Sequence, residues 1–371
     1  MSTQPKAQGR ARLRIAACAT AVAVAALAIG ATAPAHAEAA VPAPAASATA
    51  RHLDPSQFKG VNWADPRDNF ADDAVIPSGL SAADTPAQAY ATATQILDGF
   101  KHNVAANTIR LPVNPYSVGS SSAWWPDYQQ VIKAATDHGF KVILAYWEGP
   151  GVEDDGIVDN YATWWPMWST ITSTYRNNPH VYFEPMNEPH GYTQDAWVSL
   201  VTTWLDQYSN VPRNRVVVDG TGYADHVNSL CTTPALDGTY LALHDYGFWG
   251  TNTYAGWMAD FASRIGTCAS RTVVDEFGAP MTTGIDYNAS ATASDAATNN
   301  YVAYMQAATD TIRQLHLGGV YWPGLRIGDT YSLESVRATG NGDTLITNSP
   351  TGLSLIEWAW GRGRVQPHPA Y

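Results

Sequence analysis

Two glutamates, Glu188 and Glu276, each stand at the end of a short apolar segment, where a carboxyl group can do acid and base chemistry. Residues 180–190 read His-Val-Tyr-Phe-Glu-Pro-Met-Asn-Glu-Pro-His. An alternating apolar run stopped by Asn-Glu-Pro predicts a buried strand that presents Glu188 at its C-terminal end. Residues 273–278, Val-Val-Asp-Glu-Phe-Gly, repeat this pattern around Glu276. A simpler interpretation stays open, because Pro189 favours a chain break and Glu188 would then merely begin a loop.

Two carboxylates that face each other are the arrangement that double-displacement hydrolysis of a glycosidic bond requires. One attacks the anomeric carbon, and the other protonates the leaving oxygen and later deprotonates water, with the carboxyl groups about 5 to 5.5 Å apart. The alternatives are a salt-bridged structural pair and a divalent-metal site. Because no third carboxylate and no pair of histidines completes a metal set, we expect no metal and no cofactor.

The elements that would position these residues alternate between strand and helix. The eight predicted strands cover residues 58–63, 107–113, 141–147, 181–186, 215–219, 240–244, 272–275 and 319–322. Helices are predicted from Pro86, over 125–138, 161–175, 195–208, 253–265 and 296–315, and after Pro350. The fifth crossover, 220–239, lacks helical periodicity. Eight buried strands separated mostly by helices predict a single (β/α)8 TIM barrel over residues 52–371, with extended strand-to-helix loops.

Chemistry in such barrels takes place at the C-terminal ends of the strands, so the polar and aromatic residues there form a predicted site. These residues are Arg110, Tyr146, Asn187, Glu188, Asp219, His244, Tyr246, Glu276 and Trp322.

With these motifs in this order, the chain resembles glycoside hydrolase family 5 over essentially all of residues 52–371. The matching segments are Ile109-Arg110-Leu111-Pro112, Asn187-Glu188-Pro189, His244-Asp245-Tyr246, Glu276-Phe277-Gly278 and Trp322. The resemblance implies that Glu188 is the acid/base and Glu276 the nucleophile. Glu188 must then be protonated when it acts, and Glu276 must be ionised.

The resemblance also implies substrate-binding roles for other strand-end residues. Arg110 and Tyr246 would hold Glu276 ionised through charge and hydrogen bonding. Asn187 would hydrogen-bond the sugar 2-hydroxyl. His244 would be a hydrogen-bonding member of the site, and Trp322 would lie under the sugar ring.

One position departs from the family pattern. Many members have a histidine at the end of strand three, where this chain has Tyr146 and Trp147. We therefore expect Tyr146 and Trp147 to bind substrate differently there. Glu184, deeper on strand four, is expected to be a structural hydrogen-bonding residue.

The loops above the strands are rich in tryptophan and in acidic residues. About half of the loop tryptophans should pack the loops and the others should stack on sugars; they are Trp63, Trp124, Trp125, Trp147, Trp164, Trp165 and Trp249. The acidic loop 148–160 is either a calcium site or, as we favour, a solvated loop, because its spacing matches no calcium loop.

The N-terminal region predicts export. Basic residues precede the apolar run 15–29, and Ala35-His36-Ala37 offers a cleavage site, so residues 1–37 are a predicted signal peptide. An Ala/Pro-rich disordered linker is predicted over 38–51. Cys231 and Cys268 then remain, and an exported chain with two cysteines predicts one disulfide bond.

Charge and composition limit the partners of the mature chain. Loss of residues 1–37 leaves 17 basic residues against 33 acidic ones. Such an acidic protein repels nucleic acid and anionic membranes, so we expect neither as a partner.

The sequence therefore predicts a secreted, extracellular, monomeric retaining β-glycosidase that acts on a neutral polysaccharide or oligosaccharide, as cellulases and β-mannanases do. An exo-acting enzyme or a furanosidase of the same family is the first alternative. A carbohydrate-binding barrel without turnover is the alternative from another class.

Overall fold

A ring of eight parallel strands forms the centre of the protein in the computed structural model, which describes residues 53–148, 155–291, 296–339 and 342–363. The predicted signal peptide and linker lie outside these residues. The strands are β1 (Lys59–Trp63), β2 (Thr108–Val113), β3 (Lys141–Tyr146), β4 (Val181–Glu184), β5 (Val217–Asp219), β6 (Tyr240–Tyr246), β7 (Thr272–Gly278) and β8 (Gly318–Leu325).

Neighbouring strands pair in the order β4-β3-β2-β1-β8-β7-β6-β5. A parallel bridge between Phe183 and Val216 joins the two edge strands and closes the ring. The predicted single (β/α)8 barrel is therefore confirmed.

Helices follow the strands as expected from their capping residues. They are α1 (Pro86–His102), α2 (Trp125–Asp137), α3 (Tyr161–Tyr175), α4 (Gln194–Gln207), α5 (Thr221–Ala224), α6 (Tyr254–Ile265), α7 (Ala296–Gln314) and α8 (Pro350–Ala359). At the start of α1, the Thr85 N–H donates to Gln88 Oε1 at 2.9 Å, and the Thr85 hydroxyl accepts from the Gln88 N–H. This capping box satisfies two backbone donors that the helix itself leaves unpaired.

The fifth crossover is short and irregular, as predicted. The four residues of α5 contain the non-helical Gly222, with a φ of 66°. Two 3-10 turns, Leu230–Thr232 and Pro234–Leu236, follow it. The predicted disulfide bond between Cys231 and Cys268, with Cα atoms 5.4 Å apart, ties this crossover to the segment before β7.

Alternation along the strands sorts their side chains into a barrel interior and an outer layer that packs on the helices. The lowest interior layer is apolar and contains Phe58, Ile143, Tyr182, Val217, Tyr240, Ala242, Val273 and Val320. Above it lies a buried polar layer with Asn62, Arg110, Glu184, Asp219, His244 and Asp275. The barrel therefore carries its charges near the C-terminal ends of the strands.

An antiparallel hairpin that the sequence did not predict follows β8. Its strands are β9 (Glu334–Thr339) and β10 (Gly342–Thr347). Buried Glu334 accepts hydrogen bonds from Thr347 at 2.6 Å and from Asn103, just after α1, at 2.9 Å. Half-exposed strands with few apolar residues give a weak sequence signal, which explains the omission.

No helix among the described residues is long and apolar enough to cross a membrane.

Candidate active site

A cavity of about 390 Å³ opens at the C-terminal ends of the strands. Its lining combines predicted strand-end residues with residues from the loops above them: Asp68, Phe70, Trp147, Asn187, Glu188, Tyr246, Phe248, Glu276, Trp322, Arg326, Asp329 and Tyr331. Both glutamates singled out from the sequence therefore line one cavity.

Glu276 is buried and held at both oxygens. The guanidinium of Arg110 donates to Oε1, and the hydroxyl of Tyr246 donates to Oε2 at 2.5 Å. Arg110 also donates to Glu184 at 2.8 Å and to the Asn187 Oδ1 at 2.7 Å. One buried arginine thus connects strands β2, β4 and β7.

Burial raises the pKa of Glu276 to about 7. The charges of His244 and Arg110 and the hydrogen bond from Tyr246 lower it, and the charge of Glu188 raises it. Arg110 and Tyr246 therefore act in the expected direction, but desolvation outweighs them, since a buried carboxylate loses the solvation that stabilises its charge.

Glu188 is more open to solvent, with 20% of its side chain exposed against 7% for Glu276. Its Oε1 lies 2.8 Å from Nδ1 of His244, and its backbone N–H donates to the Asp219 Oδ2 at 2.7 Å. Its φ of 49° lies in the left-handed region, which is uncommon for a residue with a side chain.

His244 connects the two carboxylates. Its Nδ1 lies 3.6 Å from Oε2 of Glu276. A ring nitrogen of His244, a carboxyl oxygen of Glu188 and a carboxyl oxygen of Glu276 all lie within 4.8 Å of one another. Burial lowers the pKa of His244, but Glu276, Asp275 and Glu188 raise it well above its ordinary value. The two carboxyl groups therefore favour the protonated form of His244, which lies between them.

Consecutive residues point into the site at two places, whereas consecutive residues of a regular strand point to opposite faces. On β7 the pairing register shifts between Val274 and Phe277, and the intervening Asp275 and Glu276 both contact Arg110. After β4, Asn187 contacts Arg110 while Glu188 contacts His244, and the left-handed backbone of Glu188 makes this possible.

Tyr146 is the one predicted site residue that neither lines the described cavity nor hydrogen-bonds to Glu188 or Glu276, whereas Arg110, His244 and Asp219 contact these glutamates without lining it. It is buried in the helix-facing layer and packs edge-on against Trp164 of α3, with ring centroids 6.2 Å apart. Its neighbour Trp147 faces inward and packs against Trp322 at 5.7 Å. Adjacent strand residues face opposite sides, so the structure places Tyr146 away from the described cavity, and the substrate-binding roles of Tyr146 and Trp147 both stay predictions.

Five of the seven loop tryptophans are buried, and of the seven only Trp147 is among the residues that line the described cavity. The other four buried tryptophans therefore pack within the protein, and stacking of loop tryptophans on sugars stays a prediction.

Several cavity-lining residues were not found from the sequence because they lie in loops beyond the strand ends. Phe248, next to the His244-Asp245-Tyr246 motif, stacks on Tyr246 with centroids 4.9 Å apart. Arg326 pairs with Asp68 and with Asp329, each at 2.8 Å. The only signal for Phe248 was its closeness to that motif, and Arg326 and Asp68 lie too far apart in sequence to be linked.

Among the described residues, two groups of side chains have potential metal-ligand atoms close enough for one ion: Glu188, His244 and Glu276, and below them Asp219, His244 and Asp275. Arg110 donates to Glu276 and lies 3.8 Å from Asp275, so its positive charge disfavours a divalent cation in either group. In the acidic loop, the buried Glu148 accepts backbone hydrogen bonds from Gly156 and Ile157. Residues 149–154 lie outside the described part, so the solvated loop stays a prediction.

Comparison with known proteins adds to this geometry. The family described as Cellulase (glycosyl hydrolase family 5) matches residues 72–322, more than half of the chain. No curated protein gives a significant sequence match.

Solved structures show the same fold. The catalytic domain of the major endoglucanase from Xanthomonas campestris pv. campestris is 18% identical, with a TM-score of 0.58 over 82% of this chain and 95% of that chain. An endocellulase variant from Pyrococcus horikoshii, solved with cellotetraose, is 14% identical, with a TM-score of 0.62 over 82% of this chain and 92% of that chain.

Proposed function

Because the chain belongs to glycosyl hydrolase family 5, and is thus a glycoside hydrolase, we propose that it cleaves β-glycosidic bonds with retention of anomeric configuration. Glu276 is the nucleophile and Glu188 the acid/base. The observation that carries this proposal is the closeness of the two carboxyl groups, since one carboxyl oxygen of Glu188 lies within 4.8 Å of one carboxyl oxygen of Glu276. Inverting enzymes instead separate their carboxyl groups by about 6.5 to 9.5 Å to admit a water molecule.

In the first step, a Glu276 oxygen bonds to the anomeric carbon and the bond to the leaving oxygen breaks. Glu188 donates its proton to that oxygen. In the second step, the Glu188 carboxylate takes a proton from water, the water oxygen bonds to the anomeric carbon, and the bond to Glu276 breaks. His244 supports both steps because its hydrogen bond holds Glu188 beside the reacting oxygen.

The test of retention is hydrolysis of an aryl β-glycoside followed by anomer-resolved NMR. The first product should have the β configuration, and an α product would refute the two-carboxylate mechanism.

Two variants test the individual roles. Glu276→Gln should reduce kcat by at least about 10⁴-fold, because no nucleophile remains. Glu188→Gln should reduce kcat by about 10² to 10⁴-fold with poor leaving groups and much less with good ones, since only poor leaving groups need a proton. Full activity in either variant would remove that residue from the mechanism.

We propose a neutral β-linked glucan or mannan as substrate, cleaved internally. The endoglucanase and the cellotetraose-bound endocellulase among similar structures support this choice. Trp147 and Trp322, which line the cavity, offer apolar ring faces for the C–H face of a sugar. A panel of polysaccharides tests it, with a rapid loss of viscosity expected for internal cleavage.

An exo-acting enzyme is the second candidate, and the Arg326–Asp68 ion pair favours it. That pair joins the loop after β8 to the loop after β1, on the side of the ring opposite β4 and Glu188. Since Glu188 protonates the leaving group, the pair lies toward the retained sugar and would restrict how far the chain extends there. Release of only mono- or disaccharide from a polymer would favour this candidate.

We also propose that the protein is secreted. The signal sequence pattern and the disulfide bond, which is typical of oxidising compartments, support export. N-terminal sequencing of protein from culture medium should begin at Glu38, and an intact N-terminus in the cell fraction would contradict export.

A further inference from the structure

Asp219, the last residue of β5, is fully buried and contacts Glu188 through the backbone. Its Oδ2 accepts the Glu188 N–H at 2.7 Å. Its second oxygen has no hydrogen-bond partner among the described residues. The Glu188 N–H is therefore the one hydrogen-bond partner of this carboxyl group among the described residues, although His244 and Asp275 also lie close to it.

Glu188 needs this contact because of its backbone conformation. A φ of 49° is unfavourable for a residue with a side chain and persists only where the surroundings hold it. The conformation turns the Glu188 side chain toward His244, although Asn187 before it also points into the barrel. A relaxed, extended Glu188 would direct its carboxyl group away from the leaving oxygen.

Asp219 is itself firmly held. The indole N–H of Trp197 donates to the Asp219 carbonyl at 2.8 Å, and the next residue, Gly220, donates to the Ala242 carbonyl at 3.0 Å. These bonds anchor the end of β5 to helix α4 and to strand β6. The acceptor for Glu188 therefore stands on a rigid part of the barrel.

We propose that Asp219 is a positioning residue for the acid/base: its hydrogen bond fixes the left-handed backbone of Glu188 and so aims the Glu188 carboxyl group at the leaving oxygen. The inference rests on the proposed retaining mechanism. Asp219 is not among the residues that line the described cavity, so it acts through Glu188 and not on the substrate.

The contact to Glu188 requires an acceptor oxygen on residue 219 but not a negative charge. Burial raises the pKa of Asp219 well above its ordinary value; Glu184 and Asp275 also raise it, while His244 and Arg110 lower it. A protonated carboxyl group still offers its carbonyl oxygen to the Glu188 N–H. Asparagine, with the same shape and the same carbonyl, should therefore replace it.

The test compares kcat/KM for aryl β-glycosides whose phenols range from good to poor leaving groups. In Asp219→Ala, kcat/KM should fall by about 10- to 100-fold with poor leaving groups, which is part of the 10² to 10⁴-fold that general acid catalysis contributes. With a 2,4-dinitrophenyl glycoside, kcat/KM should fall by less than about 3-fold. Asp219→Asn should stay within about 5-fold of wild type on both.

A structural role would lower kcat/KM equally for every leaving group, so an equal loss in Asp219→Ala overturns the proposal, as does no loss. The proposal is also overturned if kcat/KM falls as much in Asp219→Asn as in Asp219→Ala. If the alanine variant does not fold, Asp219→Leu, which keeps the branched shape without an acceptor, takes its place under the same criteria.

Two further variants complete the design. Asp245→Ala removes another buried strand carboxyl group that does not contact Glu188, and its effect should be equal for all leaving groups. Glu188→Gln tests the underlying mechanism on the same substrates. If the loss in Glu188→Gln does not depend on the leaving group, the proposed function fails. If the loss depends on the leaving group in Glu188→Gln but not in Asp219→Ala, only the role of Asp219 fails.

Discussion

Tyr246→Phe should move the pH dependence of the enzyme in a defined direction. The Tyr246 hydroxyl donates to Oε2 of Glu276 at 2.5 Å, and this bond lowers the pKa of Glu276, which burial otherwise raises to about 7. Burial and the charge of Glu276 raise the pKa of Tyr246 well above its ordinary value, so the hydroxyl stays protonated and keeps donating. Removal of the hydroxyl leaves Glu276 harder to ionise.

The size of the effect follows from the strength of such a bond. A hydrogen bond to a charged group contributes about 1.5 to 3 kcal/mol, and 1.36 kcal/mol corresponds to one pKa unit, so the pKa of Glu276 should rise by about 1 to 2 units. A nucleophile must be ionised, so kcat/KM falls as the pH drops below this pKa. At pH 6 the kcat/KM of the variant should be about 10-fold or more below that of wild type, and near pH 9 the difference should be far smaller.

The assay is the pH profile of kcat/KM with a 2,4-dinitrophenyl β-glycoside. This phenol leaves without protonation, so the acid limb reports Glu276 and not Glu188. Tyr331→Phe is the matched control, because Tyr331 lines the same cavity but donates its hydroxyl to Tyr301 at 3.1 Å. The fall of kcat/KM at low pH should occur at nearly the same pH in Tyr331→Phe as in wild type.

An acid limb of Tyr246→Phe that stays in place or moves to lower pH would refute the reasoning. A uniform loss at every pH would also contradict it, because that result would assign Tyr246 to substrate binding and not to the charge of Glu276.

Two further predictions concern stability. Burial raises the pKa of Asp245 to about 7 against the opposing charge of Arg264, so its contribution to stability is fully present below its ordinary pKa and is lost as the pH rises through 7. Asp245→Asn should therefore stabilise the fold by about 2 to 4 kcal/mol at pH 8 and hardly at all at pH 4 in urea unfolding; equal effects at both would contradict this. Replacing Cys231 and Cys268 by alanine should cost about 3 to 4 kcal/mol, given their separation of 37 residues, and an unchanged unfolding midpoint would exclude it.

Much of the architecture could be predicted from local sequence patterns. Buried strands alternating with helical periodicity predicted the eight-stranded barrel, and Thr85-Pro86 predicted the start of α1. The order of strand ends placed Glu188 and Glu276 at one face of the barrel, and the structure brings both to one cavity. These features depend on residues close together in the chain, so the sequence carries their signal.

The hairpin of β9 and β10 and the loop residues of the cavity were not predictable in this way. Arg326 meets Asp68 only because the closed ring brings β8 beside β1. The pKa of Glu276 depends on how much of the barrel covers it, which no local pattern expresses.

The sequence by itself determined which residues stand at the strand ends, whereas the tertiary structure decided which way they face. A period of two sends Tyr146 to the helix layer and Trp147 to the cavity, and both could have been assigned from the alternation of β3. Glu276 and Glu188 enter the site by departing from that alternation, through a register shift on β7 and a left-handed residue after β4. Such departures are held by partners on other strands, as Asp219 of β5 holds Glu188 after β4, and therefore arise only when those strands come together.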